Sequence, residues 1–187
     1  MFDLSQNEEG YSMSNLPMQK FLSLSYFWYA GLRNEKLFDE NLLAWKYGPV
    51  VKCVYDKFKK NGDNELKEED FKEAHEIQDE NIKNFLKAIW VEYKKYRPEY
   101  LIDITHDGDN INETPWKKAF QSVDKIIKYE DIINYYNNEG AKRMLDEDVI
   151  LDLDENDKII MLPLSNQTKK ALKENIEDYD IFDINNE

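Results

Sequence analysis

The sequence holds one cysteine, two histidines and little positive charge, and each scarcity removes a class of protein. Cys53 alone makes no intrachain disulfide and no cysteine cluster for a metal, which points to a reducing, cytoplasmic setting. His75 and His106 sit in no metalloprotease helix motif, so no metal site is expected. No stretch approaches the ~18 apolar residues that span a bilayer, and residues 1–11 lack a basic segment followed by an apolar one. With 25 Lys and Arg against 39 Asp and Glu, the net charge is −14. Such a surface does not grip phosphates, because that contact works by basic side chains displacing condensed counterions. A glycine-rich phosphate loop, a Gly-x-Ser-x-Gly turn and a cysteine with activating neighbours are all missing. Neither an enzyme nor a cofactor is expected.

What is present is aromatic. Four Trp, 12 Tyr and 9 Phe in 187 residues supply a compact core beneath a strongly solvated surface. Residues 1–13 are polar and read as a flexible arm that orders only if it docks. From Ser14 or Asn15 as a cap, Leu16, Phe21, Leu24, Phe27, Trp28 and Leu32 give a first helix a broad apolar face. The segment 37–51 then runs into a Gly-Pro step. Pro49 there is expected to open a helix to about Lys60, with Val50, Cys53, Val54, Tyr55 and Phe58 on one face and Gly62 as a left-handed terminator. Trp45, Lys46 and Tyr47 would be held at its entrance.

Asp79 can cap a core helix through Ile82, Phe85, Leu86, Ile89, Trp90 and Tyr93, and Pro98 starts a shorter one that ends at Thr105-His106. Beyond Asn137 the character changes. Residues 146–187 carry 13 Asp or Glu against 4 Lys, so most of the negative charge is C-terminal. Two apolar runs, 149–153 and 158–162, flank Asp154-Glu155-Asn156-Asp157 in a hairpin pattern, and Ser165 can cap a last helix. Asp152-x-Asp154-x-Asn156 has the opening spacing of a calcium loop. Asp157 and Pro163 stand where such a loop needs Gly and a bidentate Glu, so a plain turn is the better reading.

Three separated blocks resemble one family. Asn15-Leu16-Pro17-Met18-Gln19-Lys20-Phe21-Leu22 is similar to the opening helix of the Panacea-domain family, the SocA-like antitoxins often described as phage-associated. Trp45-Lys46-Tyr47-Gly48-Pro49-Val50-Val51 resembles its central signature. Leu101 to His106, followed by Thr114-Pro115-Trp116-Lys117-Lys118-Ala119, is similar to its third element, and Ile126 to Tyr136 resembles its closing helix. Pro17, Phe21, Ser23 and Ser25 depart from the opening pattern, and the spacer before Thr114 is long.

The chain thus reads as mainly α, α+β overall. A compact multi-helix domain at 14–137 follows the arm, and 138–187 forms an acidic extension with a hairpin and a helix. The resemblance implies a bacterial antitoxin that neutralises a cognate toxin by direct protein contact. Trp45, Lys46, Tyr47, Pro49, Thr105, His106 and Trp116 are its expected partner-binding residues. An acidic rim would steer a basic toxin, with no nucleic acid and no membrane as partner. Two other binding roles stay open: a phage or mobile-element inhibitor that imitates nucleic acid with its acidic surface, and an adaptor that delivers a partner to a protease.

Overall fold

The computed structural model describes residues 2–6, 11–106, 114–137, 149–153 and 159–163. The order is α1 (Phe2–Gln6), α2 (Asn15–Arg33), β1 (Leu42–Trp45), β2 (Gly48–Val51), α3 (Lys52–Phe58), α4 (Glu80–Tyr93), α5 (Pro98–His106), α6 (Pro115–Gln121), α7 (Tyr129–Asn137), β3 (Val149–Leu153) and β4 (Ile159–Pro163). Single 3₁₀ turns lie at Lys59–Asn61 and Glu68–Phe71. The fold is mainly α with small antiparallel β elements.

The long helix α2 is the axis of the core. Phe21, Leu24, Phe27, Trp28 and Ala30 are all buried, and α3, α4, α5, α7 and β2 pack around them. Helix α4 crosses the same centre. Phe85, Ile89, Trp90 and Tyr93 are buried, Phe21 meets Trp90 with ring centroids 4.9 Å apart, and Trp28 Nε1 donates to the Tyr93 hydroxyl at 2.8 Å. Asp79 starts α4 as its sequence suggests, its carboxylate accepting from the amides of Asn81 and Ile82. Helix α2 starts differently. Ser14 is the extended N-cap residue but makes no side-chain cap bond, and Asn15 turns instead to Tyr55 O.

Of residues 1–13, the described ones, 2–6 and 11–13, pack against the domain. Phe2 stacks on Phe71 with centroids 4.2 Å apart, Met13 is fully buried, and Tyr11 packs edge-on against Trp90. Leu66, one of two large apolar residues in the charged stretch 63–73, donates its amide to Met13 O and is buried with it.

Pro49 does not open a helix. It lies in β2, opposite Ala44 in a hairpin that also pairs Trp45 with Gly48, Leu43 with Val50 and Leu42 with Val51. Ala44 sends its amide outward to Lys125 O, so Pro49 faces a position where the ladder asks for no donor. The property that suggested a helix start, an amide that needs no partner, serves an edge strand equally well. Helix α3 therefore begins at Lys52, Cys53 is exposed, and Val54, Tyr55 and Phe58 face inward. Gly62 does take a positive φ of 58° after the helix, but its ψ of −128° lies outside the left-handed helical well.

Ile126 and Ile127 are likewise not helical. Ile126 bridges Leu43, and Ile127 donates its amide to Leu42 O, so this segment lines the outer edge of β1 before α7 starts at Tyr129. The C-terminal hairpin has the expected form, Val149 pairing with Pro163 through to Leu153 with Ile159, and β4 runs beside α4. The turn 154–157, the spacer 107–113 and the helix after Ser165 fall outside the described residues.

Candidate functional site

The three sequence blocks converge on the β1–β2 hairpin. Helix α2 presents Asn15, Gln19 and Ser23 at four-residue spacing, a polar stripe on an otherwise apolar helix. Gln19 Oε1 accepts the amide of Val51 at 2.8 Å, its Nε2 donates to Asn15 Oδ1 at 3.3 Å, and Asn15 Nδ2 donates to Tyr55 O at 3.3 Å. This amide chain fastens α2 to the place where strand becomes helix. The Ser23 hydroxyl is shared between Gln19 O at 2.7 Å and Pro49 O at 3.2 Å. A buried strand edge is thus satisfied by side chains instead of by another strand.

Gly48 has φ +96°, while Lys46 and Tyr47 make the turn. Its missing side chain has a second use. A Cβ there would collide with Lys20 Nζ and stand 2.7 Å from Thr105 Oγ1, so Lys20 from α2 and Thr105 from α5 meet over the glycine. Lys20 is wholly buried, and its Nζ has no hydrogen-bond partner among the described residues. Burial without a counter-charge lowers the Lys20 amine to about 7. Thr105, also buried, donates its hydroxyl to Ile102 O at 2.9 Å.

His106 continues the junction. Its ring stacks on Trp116 with centroids 3.8 Å apart, and its Nε2 is buried without a partner. Desolvation first, and the charge of Lys20 second, lower it to about 4, so the imidazole is neutral at physiological pH. Trp116 Nε1 donates to Trp45 O at 3.0 Å, tying α6 to the hairpin, and Trp116 stacks on Phe120 at 4.9 Å. Thr114 holds that helix start by accepting the amide of Lys117.

Of the expected partner-binding residues, Trp45, Thr105, His106 and Trp116 are brought together with Gly48. Pro49 and Thr105 are buried and contribute from beneath. Lys46 and Tyr47 project from the turn; Tyr47 is 61% exposed, and the Lys46 ammonium lies 5.3 Å from the centre of its ring. Trp45 is half-buried, edge-on to Tyr55 at 4.8 Å. The solvent side of the junction is therefore aromatic and its floor polar. Sequence reasoning missed Asn15, Gln19, Lys20 and Ser23 as parts of this site. The stripe was there to be seen, and so was a lysine four residues before Leu24 and seven before Phe27. Among the described residues no group of His, Cys, Asp and Glu could hold a metal ion, and no helix is long and apolar enough to cross a membrane.

Fold and junction together define a mainly helical domain keyed by an inserted β-hairpin. The model of one protein family, the antitoxin SocA-like, Panacea domain, matches residues 18–117, more than half of the chain, and the chain belongs to that family. Membership carries an antitoxin-like role in general, with a protein as the partner. No curated protein and no solved structure matches the chain.

Proposed function

We propose that this chain neutralises a cognate toxin by binding it directly, through the face formed by the β1–β2 turn and helix α6. The observation that carries the reading is the convergence of three distant family blocks into one junction, whose outward side offers Trp45, Tyr47, Trp116 and Phe120. Half-exposed aromatic side chains on a braced backbone are the usual anchors of a protein interface, since they bury much area at low entropic cost. The chain acts in this reading by occupancy and not by chemistry. Its acidic balance of −14 would speed encounter with a basic toxin while adding little to the lifetime of the complex.

The test is co-expression of the tagged chain with the product of the neighbouring open reading frame. The reading expects the neighbour alone to arrest growth, the pair to grow, and the two to co-purify. Replacing Tyr47 and Trp116 together by Ala should then abolish rescue. A harmless neighbour that forms no complex, or rescue that survives the double replacement, would overturn the reading.

A further inference from the structure

Two charged residues are deeply buried among the described residues, and the fold treats them differently. Glu92, 2% exposed, has the Lys95 ammonium 3.3 Å away. Lys20, 0% exposed, has nothing, in a chain with 39 acidic residues. An ammonium taken from water without an acceptor costs several kcal/mol, and lysine is flexible enough to escape to the surface unless it is held. Here Gly48 leaves the room for Nζ that any other residue would fill. A second unpartnered nitrogen, His106 Nε2, is buried nearby, close enough for the charge of Lys20 to disfavour protonation of the ring. Thr105 Oγ1, at the same gap, has committed its proton to Ile102 O.

We infer that the unpartnered nitrogens of Lys20 and His106, beside Gly48, form a binding site for a single carboxylate group. Lys20 offers three N–H donors and His106 one from its Nε2–H tautomer, so the group that satisfies both at once must accept two bonds side by side. A carboxylate does so with its two oxygens. One negative charge also matches one ammonium.

The carboxylate has two possible sources, an acidic side chain or C-terminus of the protein partner and a free small acid. Assigning it to the partner rests on the antitoxin reading; the site itself does not. The experiment is a titration of the full chain, labelled at lysine and histidine, with sodium acetate against sodium chloride at matched ionic strength, followed by NMR. The Lys20 and His106 signals should move saturably with acetate and not with chloride. Lys20→Met should remove the His106 response, His106→Phe should weaken acetate binding about tenfold or more, and His106→Gln, which keeps a donor, should weaken it less. Identical responses to both salts, a drift without saturation, or no response would overturn the site, and would mean that a buried water or nothing meets these nitrogens. Circular dichroism and melting of each variant separate loss of the site from loss of the fold. A second arm measures capture of the neighbouring gene's product by Lys20→Met. Weakened capture assigns the carboxylate to that protein, and unchanged capture beside a working acetate site assigns it to a free acid.

Discussion

At the scale of single residues, Lys20 and Gly48 are the two ends of one constraint. A lysine in an apolar helix stripe is tolerated here because its amine gives up its proton easily, and its place depends on a glycine. The sign of the pH effect follows from the lowered value. Between about 7 in the fold and 10.5 in an ordinary setting, the unfolded chain holds the extra proton. Lys20 therefore makes stability rise with pH across that window, and its full penalty is present below about 7. Lys20→Met is expected to stabilise the chain by about 1–3 kcal/mol at neutral pH and to flatten that rise, as read from urea unfolding at a series of pH values. His106 adds a second rise from about 4 to 6.5 for the same reason. An unchanged slope in the Lys20 variant would mean that the amine has found a counter-charge. Gly48→Ala combines a φ of +96° with a steric collision and should cost about 2–4 kcal/mol by the same measurement.

At the scale of elements, the site depends on how short pieces are started and pinned. Helix α6, seven residues long, is too short to stand alone, and its Thr114 cap and the Trp116 bond to Trp45 O hold it against the hairpin. Thr114→Ala should lower stability by about 1 kcal/mol and also loosen Trp116, seen as a red-shifted tryptophan emission. The matched change at the cap of α4, Asp79→Ala, should cost a similar amount without altering the hairpin, since α4 is held by its own buried face. Helix α1 is shorter still and keeps its place through Phe2 on Phe71. Phe2→Ala is expected to cost about 3 kcal/mol in thermal or urea unfolding, and a loss under 1 kcal/mol would show that the segment is an ornament of the core.

At the scale of the whole molecule, the excess negative charge and the aromatic junction are separated along the chain. Residues 146–187 hold a net −9 of the total −14, while the aromatic junction lies within 15–120. Association with a basic partner should therefore be steered by one region and held by the other. Removing residues 146–187 is expected to slow association several-fold at low salt and to leave dissociation nearly unchanged, measured by surface plasmon resonance across salt concentrations with the neighbouring gene's product. Complete loss of binding would instead place the contact in the acidic extension.

Local sequence was enough for the helical character, the core helix after Asp79, the C-terminal hairpin and the family, because periodicity, caps and motif strings need no distant partner. It also supplied the candidates Trp45, Thr105, His106 and Trp116. It did not determine the state of Pro49 or of Ile126 and Ile127, since a missing amide suits a helix start and an edge strand alike, and a short apolar pair has no period. Packing settled these, by laying residues 125–127 against β1 and closing the other edge with Gln19 and Ser23. It alone decided that Lys20, 28 positions before Gly48 and 85 before Thr105, shares a gap with both. Such a meeting is set by the packing of three elements, and no pattern along a chain encodes which buried amine will be left without a partner.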